Sequence, residues 1–266
     1  MKRKLLHLPK EHNHFANLGS QLTMLAVIIT LMFLALPLLK ASETAEDIFQ
    51  QGLSALERGN FEEARQYFSQ ALQRDPELAP AYVNRGIAHL RLKRYPDALM
   101  DLDKAIEMNP RLPEAYYNRA LIFSRQGLYD KAREDYSQAL KYAPKDWQIY
   151  YNRGNACLDA GLYKEALQDF ETARRLNPNS LEVRHNLGLA YLSLGEADRA
   201  LENFEEVLTR NPEYSRAYFN KARALDVLGR KAEAAANYRT FLQKGNPATD
   251  QGLLQKALEH LQALKN

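Results

Sequence analysis

One cysteine, Cys157, and one tryptophan among 266 residues leave nothing from which to build a disulfide framework. Glycine (12) and proline (11) are sparse, and no glycine-rich phosphate loop, metal-spaced His/Cys cluster or nucleophile motif occurs. Nor is there an excess of one charge in the body of the chain. The net charge of +3 comes from the N-terminus, where residues 1–40 hold five bases (Lys2, Arg3, Lys4, Lys10, Lys40) and one acid, Glu11. Residues 41–266 are balanced, with 31 bases and 32 acids, so a general nucleic-acid footprint is not expected. What is present is a composition that buries a core: 45% hydrophobic and 26% charged residues exclude disorder as the main state.

From His12 to Leu39 no residue is formally charged, with histidine taken as neutral. The densest part, Leu22 to Leu39, is 18 residues interrupted only by Thr23, Thr30 and Pro37. As a helix it would span roughly 27 Å, close to the ~30 Å hydrocarbon thickness of a bilayer. Lys2, Arg3, Lys4 and Lys10 precede it, and Glu43, Glu46 and Asp47 follow. The positive-inside rule therefore predicts a cytoplasmic N-terminus and an exported remainder. An uncleaved anchor is the expectation; the alternative is a cleaved signal peptide and a secreted protein. Against cleavage, the run exceeds the usual ~7–15-residue apolar core of a signal and lacks an A-x-A site. Cys157 is too far away for a lipoprotein.

The body has a period. Pro76, Pro110, Pro144, Pro178 and Pro212 recur every 34 residues, as do Ala64, Ala98, Ala132, Ala166, Ala200 and Ala234. Small residues recur at Gly52, Gly86, Ala120, Gly154, Gly188 and Ala222. A turn column reads Gly59, Lys93, Gly127, Gly161, Gly195 and Gly229, so nine of the 12 glycines fall in two columns. Large apolar residues fill Phe68, Leu102, Tyr136, Phe170, Phe204 and Tyr238.

This pattern resembles the tetratricopeptide repeat. Tyr116-Tyr117-Asn118-Arg119-Ala120, followed by Gly127, Tyr129, Ala132, Tyr136, Ala139 and Pro144, matches it closely. The resemblance covers about 204 residues and weakens in the last two units, where Arg184 replaces an aromatic and Asn246 a proline. It implies an all-α fold: a right-handed solenoid of six helix-turn-helix units, preceded by the N-terminal hydrophobic helix. The expected boundaries are 1–44 for the basic tail and anchor (apolar core 22–39), 45–248 for the six units and 249–266 for a C-terminal capping helix.

The residues support that fold independently. In the third unit Tyr116, Ala120 and Phe123 fall at i, i+4 and i+7 on one helical face, and Ala132, Tyr136 and Ala139 share another. Small residues are expected opposite small residues, bringing the backbones close. Proline stops each second helix, because it lacks an N–H and disfavours helix before it. A single hairpin cannot cover its own apolar face, so units must stack. Leu253, Leu254, Ala257, Leu258, Leu261 and Leu264 make a last amphipathic helix that would cover the end.

Two polar columns stand out. Arg85, Arg119 and Arg153 occur only in units that carry Asp101, Asp135 and Asp169 sixteen residues later, as expected for an ion pair between the helices of a unit. Asn84, Asn118, Asn152, Asn186 and Asn220 lie opposite the helix-pair core, on the side that lines the concave surface in such arrays. The resemblance implies an asparagine ladder, each amide meeting the backbone of roughly every third residue of an extended ligand. Tyr117, Tyr151 and Phe219 would select side chains. The neighbouring column (Phe49, Val83, Tyr117, Tyr151, His185, Phe219) has no lysine, which disfavours a carboxylate clamp for chaperone tails.

Repeats and cap occupy nearly all the exported chain, so the expectation is no enzyme, no cofactor and no metal site. His7, His12 and His14 lie in the basic tail, and Cys157 occupies an inward column. The expected function is a membrane-tethered scaffold binding a protein or extended peptide on the extracytoplasmic side. The alternatives are an accessory subunit of an envelope enzyme complex, such as a glycosyltransferase, and an N-anchored receptor with cytosolic repeats.

Overall fold

A computed structural model describes residues 43–264. The expected hydrophobic helix over 22–39 and the tail histidines lie outside the described residues. Among the described residues there are thirteen α-helices and no strand, and no helix is long and apolar enough to cross a membrane.

The first helices of the six units are α1 (Ala45–Glu57), α3 (Ala79–Arg91), α5 (Pro113–Arg125), α7 (Trp147–Asp159), α9 (Leu181–Ser193) and α11 (Ser215–Val227). Their partners are α2 (Phe61–Arg74), α4 (Tyr95–Met108), α6 (Tyr129–Tyr142), α8 (Tyr163–Leu176), α10 (Ala197–Arg210) and α12 (Lys231–Lys244). Each helix packs against the next in sequence, and each first helix also meets the first helix of the following unit. The result is a one-dimensional stack, an all-α solenoid. After Lys244 the chain enters α13 (Pro247–Ala263), with Pro247 as its first residue and the Asn246 side chain accepting the Ala248 N–H at 2.9 Å.

Each hairpin turns through one left-handed residue. Gly59, Gly127, Gly161, Gly195 and Gly229 have φ between 73° and 81°, and Lys93 takes the same place at φ 60°. Only glycine adopts this conformation without a Cβ penalty, so the second unit alone bears that strain.

Within a unit the close approach differs from the expected small-on-small contact. Where the first helix carries glycine, it faces the large side chain of the second helix, a phenylalanine ring in three units and Leu102 in the second. A Cβ on Gly154 would stand 2.7 Å from Phe170 Cε1, and one on Gly188 2.7 Å from Phe204 Cε1. Phe68, Phe170, Phe204 and Tyr238 are completely buried as a result. The pairing varies along the array: Gly52, Gly154 and Gly188 oppose phenylalanine and Gly86 opposes Leu102 sixteen residues on, while Ala120 and Ala222 oppose Tyr136 and Tyr238.

The arginine column does more than bridge one hairpin. Arg85, Arg119 and Arg153 each hold the aspartate of their own second helix through two hydrogen bonds of 2.7–2.8 Å. Their remaining Nη1 donates backward to the preceding unit, to Ser69, Asp103 and Ser137 at 3.3, 2.6 and 2.9 Å. Where the arginine is missing, the same receiving column is still used. Tyr191 Oη donates to Glu171 at 3.0 Å and Lys221 Nζ meets Glu205 at 2.9 Å. Every junction from the first to the last unit therefore carries one polar tie on Ser69, Asp103, Ser137, Glu171 or Glu205.

In α13 the apolar face is narrower than the sequence suggests. Ala257 is fully buried, and Leu253, Leu254, Leu261 and Leu264 pack on the core of units four to six. Leu258 is 45% exposed and lies on the outer face, because the helix covers the stack with one side only. Arg216 anchors its start, donating from Nε to the buried Asp250 at 2.8 Å.

Candidate functional site

The asparagine column falls on the first helices as expected, but its amides are largely occupied. Asn84 and Asn118 each donate to the carbonyl four residues earlier, Pro80 at 2.9 Å and Glu114 at 2.7 Å. Asn152 spends both N–H groups, on the Gln148 carbonyl (2.8 Å) and on Tyr117 Oη of the unit before (3.0 Å). Asn186 donates to Asn155 Oδ1 at 2.7 Å and to Tyr151 Oη at 3.3 Å. Asn220 meets His185 Nε2 at 3.2 Å and accepts from Arg223 at 3.2 Å.

A rule emerges with a step of 35 residues. The aromatic of one unit pairs with the asparagine of the next: Tyr117 with Asn152, Tyr151 with Asn186, His185 with Asn220. Earlier in the array the aromatic position is Phe49 or Val83, neither of which can accept, and Asn84 and Asn118 have no such partner. The tyrosine oxygens that accept these bonds keep their own O–H to donate. The Oδ1 atoms of Asn84, Asn118, Asn152 and Asn186 receive no bond from the described residues. Along the first helices the donor role thus passes from asparagine to tyrosine, and the acceptor role stays with asparagine. Burial pushes the Tyr117 hydroxyl above its ordinary value, so it remains a neutral donor.

Phe219 is placed differently from Tyr117 and Tyr151. It is 3% exposed, packed against Tyr238 and Phe241 with His260 of α13 at its edge. The last helix packs over it, so its ring belongs to the core while also lining a hollow between α11 and α13. Asn118 and Asn220 are also nearly buried, at 8% and 7% exposure. Cys157 lies in the core as expected, its thiol pushed up to about 11 chiefly by burial.

Sequence reading placed His185 in the column beside the asparagines without giving it a role, and missed α13 as part of this surface. The imidazole is 5% exposed, between Phe204 and Tyr214 at centroid distances of 5.5 and 5.1 Å. Burial, with Arg216 nearby, pulls its pKa down to about 4, and it is neutral at pH 7. Around it the first helices α7, α9 and α11 and the inner side of α13 enclose an open hollow of about 960 Å³. The signal was available: His185 is the one imidazole in an otherwise aromatic or aliphatic column.

Solved structures share this architecture. YrrB, described as "a TPR protein with an unusual peptide-binding site", superposes with a TM-score of 0.63 at 23% identity, over 72% of this chain and 97% of its own. A tetratricopeptide repeat protein from Parabacteroides merdae gives 0.65 at 19% identity, over 83% and 92%. PilF of Pseudomonas aeruginosa gives 0.66 at 21% identity, over 79% and 97%. At these identities the likeness is one of fold. No curated protein matches the chain by sequence. The family model described as tetratricopeptide repeat matches residues 49–113, 95–134, 117–180 and 185–249, spanning most of the array. With helix pairs, left-handed turns and period all in agreement, the chain belongs to the tetratricopeptide repeat family.

Proposed function

We propose that this chain is a scaffold that holds a partner protein on its concave side, taking an extended segment and not a preformed helix. The observation that carries the reading is the run of Tyr117–Asn152 and Tyr151–Asn186 pairs, in which successive units offer a free Oδ1 acceptor and a free O–H donor. An extended chain has backbone N–H and C=O groups to match both, whereas a helix has already used its own. Such contacts favour affinity over sequence specificity. The peptide-binding description of YrrB supports the same kind of ligand.

We further propose that the array is tethered by residues 22–39 and faces the extracytoplasmic space. The charge-free run and the basic residues before it support this. A reporter active only outside the cytoplasm, fused after Asn266, should then work; activity from a cytoplasmic reporter alone would reverse the orientation.

The binding reading is tested by crosslinking the full chain in its native membrane, identifying the captured protein, and repeating the capture with Tyr117→Phe and Tyr151→Phe combined. Both rings remain but both donors go. Capture should fall about tenfold, the loss of one to two net hydrogen bonds, with a small change in melting temperature. Unchanged capture would overturn the reading.

A further inference from the structure

At four of the five junctions between units, an aliphatic residue near the end of the second helix is followed ten residues later by a tyrosine: Leu72 and Tyr82, Ile106 and Tyr116, Leu140 and Tyr150, Leu208 and Tyr218. Leu72 and Tyr82 pack in one apolar cluster, and Leu140 and Tyr150 in another. Between the fourth and fifth units both positions are arginine, Arg174 on α8 and Arg184 on α9. The fifth unit also lacks the Arg–Asp pair, with Leu187 and Asn203 in its places. An apolar contact used at the other junctions is here replaced by two like charges.

These guanidiniums are drawn out of water without being neutralised. The Arg184 side chain is 12% exposed, and the Nε atoms of Arg174 and Arg184 are covered and have no hydrogen-bond partner. Arg184 gives Nη1 to Glu206 at 2.6 Å, but Arg174 has no carboxylate within ion-pair distance among the described residues. Burial, Arg174 and Arg210 all work against the Arg184 charge, and Glu206 works for it. Beside them α8, α9 and α10 leave a hollow of about 280 Å³, lined by Arg174, Arg184 and Arg199, with Glu202, Asn203 and Glu206 from α10. Arg199 lies 4.2 Å over the Tyr191 ring and donates to Glu196 at 2.8 Å. Three guanidiniums thus meet two carboxylates in the lining, and no member of the asparagine column takes part. A desolvated cation short of a counter-ion is costly, and an arriving anion relieves that cost.

We propose that this hollow binds a phosphoryl group, held by the terminal nitrogens of Arg174 and Arg184 with Arg199 at its mouth. A carboxylate is satisfied by one guanidinium fork, whereas a tetrahedral phosphoryl group has oxygens for donors arriving from three different helices. Glu206 competes with the ligand for Arg184. The phosphoryl group can be inorganic phosphate or belong to a phosphorylated side chain of a bound protein. The site is independent of the concave-groove reading, since the two share no residue.

The full-length protein is titrated at constant ionic strength with inorganic phosphate, with N-acetyl-phosphoserine amide and with N-acetyl-serine amide. Both phosphoryl probes should raise the melting temperature saturably and shift the Nε–H resonances of Arg174 and Arg184; the serine amide should do neither. Tighter binding of the phosphoserine probe assigns a phosphorylated side chain, and equal or tighter binding of inorganic phosphate assigns the free anion. Arg174→Leu and Arg184→Tyr restore the residues of the other junctions. Each should fold at least as stably as the parent in phosphate-free buffer and bind roughly tenfold more weakly, the loss of one charge-assisted partner. Glu206→Gln should tighten binding. No saturable response to either phosphoryl probe, or a response that survives both arginine replacements, overturns the proposal. Where an arginine variant proves less stable, Glu206→Gln decides, and unchanged or weaker binding in that variant overturns it.

Discussion

Arg119 grips Asp135 through Nε and Nη2, both at 2.7 Å, and gives its remaining Nη1 to Asp103 of the preceding unit at 2.6 Å. One guanidinium thereby joins α5, α6 and α4. Its side chain is 22% exposed and that of Asp135 8%, so the pair is shielded without being sealed from water. The neighbouring acids push the guanidinium further toward its charged form.

Removing one member of this tie should cost more than removing both. Asp135→Ala leaves Arg119 half-buried against a single partner and should cost roughly 2 kcal/mol. Arg119→Leu with Asp135→Leu should cost less than Asp135→Ala, because no buried charge is left unpaired and Asp103, which loses its arginine, is 60% exposed. The fifth unit already carries Leu187 and Asn203 at these places. Urea melts of the two variants check the order; a double variant weaker than the single one would contradict it.

Gly154→Ala should destabilise the fourth unit. The added methyl would stand 2.7 Å from a Phe170 ring carbon, and relieving that contact costs about 1–3 kcal/mol. Loosening should be greatest over residues 147–176, since units touch only their neighbours. Hydrogen exchange read helix by helix provides the check; uniform loosening of the whole stack would refute local packing.

Lys93→Gly should stabilise the protein. At φ 60° a lysine bears the left-handed penalty of about 1 kcal/mol that the five equivalent glycines avoid. Part of the gain is lost to the greater freedom of glycine in the unfolded chain. A rise in melting temperature of a degree or two is expected, and a fall would show that Lys93 has a role beyond the turn.

Mild acid should weaken the C-terminal half through His185. His185 is held neutral, with a pKa near 4 against about 6.5 unfolded, so between these values the unfolded chain binds a proton that the folded one refuses. Stability is complete above about pH 6.5 and falls toward pH 4, by up to roughly 3 kcal/mol. His89, also pulled down by burial, acts in the same direction. His185→Phe, which restores the residue found at Phe49 and Phe219, should flatten this part of the profile. Denaturant midpoints between pH 4 and 7 measure it, and an equal slope in the variant would exclude His185 as the source.

The periodic residues made most of the fold readable. The turn column, the buried alanines and the spacing of Arg119 and Asp135 each correspond to one contact repeated along the stack, and repetition separates such contacts from accident. Two things were not readable from single columns. One is the partner of Gly154, which is the Phe170 ring: the correlation of glycine with phenylalanine and alanine with tyrosine appears only when two columns are compared across units. The other is the state of the asparagines. Asn152 fits a ligand-facing position by helical angle alone, yet one of its donors is taken by the Tyr117 of another helix, and helical angle contains no information about a neighbour 35 residues away. Phe219 is less exposed than its column suggests for a related reason. Its column is open until α13 folds over it, and α13 lies outside the period.

The column that receives each junction's tie reads Ser69, Asp103, Ser137, Glu171 and Glu205, and what reaches it changes in step: Arg85, Arg119, Arg153, Tyr191 and Lys221. The repeats share a shape but not an address. If the fifth unit were spliced in behind the second, Leu187 would stand where Arg119 does, and Asp103 would lose its arginine. Duplicating the third unit in tandem would set the second copy's Arg119 against Ser137 of the first, the acceptor that Arg153 now uses, and keep a tie. The array can therefore be lengthened by copying some of its members but not reshuffled freely, because the order of the units is written into the bonds between them.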